Sequence, residues 1–157
     1  GDENPGPGAL EVAYSQPQMY SILDADFASV PYARGVNNHM GSKFCQNERK
    51  LRPVMLELNT RGLFFLDSRT TSKTKAYTVA QELHVPSAER NVFLDNIQNP
   101  RAIRAQLNRL TELAHLRGEA IGIAHPHEVT LEVLRREIPK LSGKGIELVP
   151  VSQLVHN

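Results

Sequence analysis

The sequence predicts an α/β fold in one domain. Three observations carry that expectation: short apolar runs with little alternation, amphipathic helical stretches between them, and brief connections rich in Gly, Pro and Asn. The chain's 157 residues fall within the usual span of one core, about 50–250 residues. A chain of this size typically buries roughly 70% of its extended surface, so a substantial apolar core is expected. No internal repeat, charge block or low-complexity linker divides it.

The elements follow in order. Gly1–Leu10 holds glycines and prolines at short intervals and reads as an irregular loop. Ser15 can cap a first helix whose Met19, Leu23, Phe27 and Val30 keep a 3.6 period as far as Pro31. A second helix uses Leu51, Met55 and Leu58. Because Pro53 lacks an N–H and suits only a first turn, its start is placed near Leu51. Ala76, Val79, Ala80 and Leu83 mark a third. Asn99 as N-cap, Pro100 at the first helical position and Gly118 after the last turn frame a fourth, with Ile103, Leu107, Leu110 and Ala114 along one face. Thr130 caps a fifth, with Leu131, Leu134, Ile138 and Leu141 facing inward before Gly143. Between them, Leu63–Leu66, Val92–Leu94, Ile121–Ala124 and Ile146–Val149 are apolar runs that suit strands buried on both faces of a parallel sheet.

Charge narrows the partners. Eighteen basic residues against seventeen acidic ones leave a formal charge of +1. That balance carries no electrostatic footprint for nucleic acid or an anionic membrane. No apolar run approaches the roughly 20 residues needed to span a bilayer, and no signal peptide is recognisable at Gly1. The single cysteine, Cys45, excludes an intrachain disulfide and lacks the His-rich setting of a catalytic thiol.

Chemistry gathers where the strands end. Leu63–Leu66 runs into Asp67, Ser68, Arg69 and Thr70; Val92–Leu94 runs into Asp95 and Asn96; Ile121–Ala124 runs into His125, Pro126 and His127. Ligands of parallel α/β folds bind at the carboxyl ends of strands, so these groups are expected on one rim. The loop Gly35–Ser42, bracketed by glycines, adds Asn37, Asn38 and His39. His39 and His125 are the stronger candidates. Asp95 reads more simply as a turn former or helix cap, and His127 as a residue shaping the turn after Pro126. His84, His115 and His156 read as structural or exposed. His-Glu-x-x-His, paired Cys-x-x-Cys, a Walker-type phosphate loop and a Gly-x-Ser-x-Gly elbow are all missing. A dispersed rim of His, Asp and Asn suits metal-assisted hydrolysis if further ligands exist.

Four strings in this order resemble the divergent polysaccharide deacetylase family: Gly35–Ser42 (GVNNHMGS), Phe64–Thr71 (FFLDSRTT), Val92–Asn96 (VFLDN) and Ala120–His127 (AIGIAHPH). Pro5–Leu10 and Glu147–Ser152 fit the same pattern, so the resemblance covers nearly the whole chain. Asn-Asn-His-Met-Gly-Ser is its most specific string. Ala124 stands where the family usually has Gly.

The resemblance implies a distorted (β/α) barrel of the polysaccharide deacetylase (NodB-like) type. It also implies that residues 1–157 are the carboxyl-terminal portion of one deacetylase domain. The family's opening strand with an Asp-Asp end, and its His-x-Pro-Met-Glu segment, do not occur here. These would hold the base aspartate and most metal ligands, so the barrel is expected to be incomplete at its amino-terminal end.

The activity implied is a metal-dependent hydrolase that removes acetyl groups from a cell-envelope polysaccharide in the periplasm or outside the cell. Its partners would be a glycan substrate and a divalent metal, Zn²⁺ by preference. His39 would be a metal ligand, His125 the general acid, and Asp67 the carboxylate that orients an imidazole. Asn38, Ser42 and Arg69 would hydrogen-bond the sugar. Two other readings stay open: a polysaccharide-binding module on the same scaffold without turnover, and a metal-dependent phosphoester hydrolase. The second lacks basic residues at the rim beyond Arg69 and Lys73.

Overall fold

A computed structural model describes residues 6–157, so the start of the Gly1–Leu10 segment lies outside the described residues. The described chain is mixed α/β with parallel sheets, and it forms two compact units, Gly1–Glu89 with Val155–Asn157, and Arg90–Leu154.

In the first unit, helix α1 (Gln16–Ser29) starts at Ser15, whose N–H donates to the Gln18 side chain at 2.8 Å. Strand β1 (Gly35–Asn37) follows, then α2 (Glu48–Thr60), β2 (Phe64–Asp67), α3 (Ala76–Glu82) and β3 (Ser87–Glu89). The three strands are parallel in the order β1-β2-β3, with Val36 opposite Phe65 and Leu66 opposite Ala88. His156 forms an antiparallel bridge to Ser87, giving β3 a second partner.

Met19 and Leu23 of α1, Leu51, Met55 and Leu58 of α2, Phe65 of β2, and Val79 and Ala80 of α3 make the core of this unit. Burying a Leu or Met side chain of this kind stabilises the fold by about 1.5–3 kcal/mol.

In the second unit, β4 (Val92–Phe93), α4 (Pro100–Arg117), β5 (Gly122–Ile123) and α5 (Glu128–Glu137) alternate, and β4 pairs β5 in parallel, Val92 opposite Gly122. Helix α4 has the ends its sequence predicts. The Asn99 side chain accepts from Ala102 N at 2.8 Å, and Gly118 adopts the left-handed φ of 87° that ends the helix.

Several expectations need correction. Helix α2 begins at Glu48, not near Leu51, with Pro53 inside it. The Asn47 side chain caps it by accepting from Lys50 N, and its buried stripe outweighs the one hydrogen bond the proline cannot make. Val30 is the exposed C-cap of α1 rather than part of its buried face. Thr130 is not the cap of α5; His127 takes that position, and Thr130 is fully buried within the helix. Leu141 is buried as expected, but Leu131 and Ile138 are exposed, and Thr130 and Val133 are buried in their place.

The α5 helix also ends at Glu137 and continues as short 3₁₀ turns. Ile146–Val149 is not a strand: Ile146 N is spent on Leu141 O, and Leu148 is exposed. Conversely, Gly35–Asn37 and Ser87–Glu89 are strands that lack a strong apolar run.

Candidate functional site

Each unit brings polar groups to the carboxyl ends of its own parallel strands. In the first unit, β1 leads into Asn38 and His39, and β2 ends in Asp67 followed by Ser68 and Arg69. Asn38 ties the two loops together: its carboxamide oxygen accepts from Ser68 N at 2.7 Å, and its nitrogen donates to Cys45 Sγ at 3.2 Å. Asn37 donates to Ser68 Oγ at 3.0 Å. Further along, Ser42 Oγ donates to Thr70 O, and Thr70 Oγ1 donates to Met40 O. Met40 and Arg69, one in each loop, hold left-handed φ values of 57° and 49°, a conformation that costs side-chain-bearing residues free energy and collects at functional sites.

Asp67 is completely buried. Its Oδ1 accepts from Arg69 N at 2.8 Å, and its Oδ2 accepts from Thr74 Oγ1 at 2.9 Å and from Tyr77 N at 3.2 Å. Tyr77 N belongs to the first turn of α3, so the carboxylate also meets the positive end of that helix. Arg69 pairs with Glu89 at 2.6 Å, which brings the end of β3 to the same edge. His39 is exposed between Asn38 and Met40. Of the sequence candidates, Asn38, Ser42, Asp67 and Arg69 therefore share one hydrogen-bonded pair of loops.

In the second unit, Asp95 follows β4 and His125 follows β5. Parallel pairing continues past the strands through Leu94 N to Ile123 O at 2.9 Å, which sets Asp95 beside His125. The Asp95 side chain is fully buried, while that of His125 is 41% exposed. Asp95 Oδ2 accepts from His125 N at 2.7 Å and from Thr130 Oγ1 at 3.0 Å; Oδ1 lies 3.2 Å from His125 Nδ1. A carboxylate can only accept, so Nδ1 carries the hydrogen in this contact and Nε2 becomes the ring nitrogen with an exchangeable proton. Phe93 packs against the His125 ring at 5.2 Å between centroids, and the His127 ring lies at 5.3 Å on a tilted plane.

His127 also meets Gln98, nitrogen to nitrogen at 3.0 Å. An amide nitrogen only donates, so the imidazole nitrogen accepts there. Asp95, His125 and His127 place donor atoms within 4.8 Å of one another and could hold a metal ion. One carboxylate and two imidazoles are a donor set that suits zinc.

The sequence places Asp95 and His127 at strand ends but reads them more simply as a turn former or helix cap and as a residue shaping the turn after Pro126. What the sequence does not show is that β4 pairs with β5, which sets the buried Asp95 carboxylate against donors after β5. The structure gives His125 the Asp95 carboxylate as its orienting partner.

Parallel strands whose carboxyl ends carry His, Asp and Asn define an α/β protein with its polar groups gathered at the strand ends. The chain belongs to the divergent polysaccharide deacetylase family, whose pattern matches residues 1–155. It is 41% identical over 147 residues to the uncharacterized protein YibQ of Escherichia coli K12, covering 94% of this chain and 46% of YibQ. An uncharacterized protein of Haemophilus influenzae is 33% identical over 150 residues, covering 96% of this chain and 53% of that protein. The chain thus spans about half the length of these curated relatives. The crystal structure of the uncharacterized protein ATU2773 from Agrobacterium tumefaciens C58 superposes with a TM-score of 0.93 at 30% identity, covering 97% of this chain and 62% of that one. No helix among the described residues is long and apolar enough to cross a membrane.

Proposed function

We propose that this chain is the carboxyl-terminal portion of a single deacetylase domain of distorted (β/α)-barrel type. Its reaction would be hydrolysis of N- or O-acetyl groups on a cell-envelope polysaccharide, in the periplasm or outside the cell. The observation that carries the reading is the buried Asp95 carboxylate held against the partly exposed His125 imidazole. Such a pair fixes one tautomer and presents the other ring nitrogen for proton transfer to a leaving amine or alcohol, the work of a general acid.

A divalent metal, Zn²⁺ by preference, would lower the pKa of its bound water to about 7 and polarise the acetyl carbonyl. His39 is the proposed ligand in the first unit; the Asp95, His125 and His127 donors are the alternative place for the ion. Asp95 Oδ2 already accepts two hydrogen bonds and Oδ1 faces His125, which favours Asp95 as the residue that positions the imidazole. Asp67 organises the Ser68–Thr74 loop through its three accepted bonds. Asn38, Ser42 and, within that loop, Arg69 would contact the sugar, while the Asn38 carboxamide oxygen also holds Ser68 N.

The test uses the longer protein that contains this chain. Metal content and acetate release from acetylated glycans are compared for wild type, His39→Ala, His125→Ala and His127→Ala. The reading expects His39→Ala to lose metal and His125→Ala to keep metal but lose acetate release by about 10²–10⁴-fold. Metal lost with His127→Ala and kept with His39→Ala would move the ion to the second unit. Acetate release unchanged by His125→Ala would end the catalytic assignment. Glycan binding without turnover or metal would favour a non-catalytic polysaccharide-binding module on the same scaffold.

A further inference from the structure

Beside β4 the second unit carries a cavity of about 360 Å³. That is near the lower end of small-molecule sites, about 300–1,000 Å³, and leaves room for a sugar residue. Arg90 and Arg109 line it together with the carboxamides of Asn96 and Gln106, and among the described residues none that lines it carries a carboxylate. Guanidinium groups offer planar, permanently charged forks of N–H donors that match an oxyanion. Carboxamides add donors and acceptors suited to hydroxyl groups. Cationic forks and neutral polar groups in one concavity select a ligand that is both acidic and rich in hydroxyls.

The cavity also adjoins the imidazole described above. Phe93 lines it, the Arg90 guanidinium lies 5.1 Å over the Phe93 ring, and the same ring packs at 5.2 Å against His125. Asn96, which lines the cavity, directly follows Asp95. A sugar anchored there would lie next to the aromatic ring that supports His125.

We propose that this cavity binds an oxyanion-bearing sugar of an anionic glycan, with Arg90 and Arg109 as the charge-recognising residues. The inference rests on the glycan-directed reading of the protein and adds a substrate class to it. It extends to the sugar beside the reacting one and assigns no role in bond cleavage.

The experiment is titration calorimetry on the longer protein containing this chain. The probes are a tetrasaccharide of alternating glucuronate and N-acetylglucosamine and a neutral N-acetylglucosamine tetramer. The acidic probe is expected to bind about tenfold tighter at low ionic strength, with the advantage shrinking in about 1 M salt, where screening acts within about 3 Å. Arg109→Gln, at an exposed position, and Arg90→Gln should each remove most of that preference and leave affinity for the neutral probe unchanged. Equal affinity for the two probes, or a preference that survives both substitutions, overturns the proposal. Inorganic phosphate binding as tightly as the acidic tetrasaccharide also overturns it, because the site would then recognise a bare anion. The two readings fail separately. An arginine-dependent preference without acetate release removes catalysis and keeps the cavity's assignment, whereas acetate release with no acidic preference does the reverse.

Discussion

Asp95 grips His125 at two points, the backbone N–H at 2.7 Å and the ring Nδ1 at 3.2 Å. Binding the main chain fixes where the imidazole starts; binding the ring fixes how it turns. The Thr130 hydroxyl, from α5, donates to the same carboxylate at 3.0 Å. One buried side chain after β4 therefore ties the loop after β5 to the helix that follows it.

Asp95→Asn keeps the size of the side chain but sets an amide against a ring N–H. We expect acetate release to fall about 10–100-fold, as for partners that orient a reactive group, with KM little changed. Steady-state kinetics on acetylated glycan checks it; a change confined to KM would show that Asp95 does not serve the imidazole. Thr130→Val removes one donor to the buried charge and should lower stability by about 1.5–3 kcal/mol, read from the shift in denaturant midpoint.

Asp67→Ala leaves three donors without their acceptor: Arg69 N, Thr74 Oγ1 and Tyr77 N. Bonds to a charged acceptor are each worth about 1.5–3 kcal/mol net, but water reaching the vacated space recovers part of that. A loss of about 3 kcal/mol is expected. Hydrogen exchange should show lost protection first at Tyr77 and Arg69. Unchanged protection there would mean that backbone contacts alone hold the loop.

Gly35→Ala probes how tightly β1 lies on β2. Gly35 pairs with Phe64, and a methyl group at Gly35 would come within 2.3 Å of the Phe64 ring. The ring must shift or the strands must part, at a cost of about 1–3 kcal/mol. Because Asn38 and His39 follow this strand directly, glycan binding should weaken along with stability. Thermal unfolding of the variant at wild-type temperature would show that the ring yields without cost.

Much of this was legible in the residues, and the gaps have physical causes. Asn99, Pro100 and Gly118 announce both ends of α4 because capping is local chemistry. Asp67, Asp95 and His125 could be placed at strand ends because an apolar run stops at a polar residue. Gly35–Asn37 and Ser87–Glu89 carry no strand signal of their own, since their strand character comes from pairing with β2 and not from their own side chains. Ile146–Val149 was the reverse case, apolar enough for a strand but with its first N–H taken by Leu141. The bond between Asp95 and His125 joins residues thirty apart in sequence, beyond the reach of local pattern. His39 and His125 were expected on one rim; each is placed at a strand end within its own unit.

Cys45 allows a pH test of the first unit. The residue is 3% exposed, and burial pushes the thiol pKa up. The Asp67 charge pushes the same way, while hydrogen bonds from Asn38 and Thr70 pull it partly back. The folded protein therefore keeps this proton to higher pH than the unfolded chain does. Its contribution to stability is complete below the ordinary thiol range, about 8.5, and is lost as pH rises through the higher folded value. Denaturant midpoints should fall as pH rises above about 8.5, and Cys45→Ala should remove part of that fall while other groups account for the rest. Alkylation of the folded protein should be slow at about pH 8 and should speed up with denaturant, because the thiolate is the reactive form. Fast alkylation of the folded protein would mean that the Asn38 and Thr70 bonds outweigh burial.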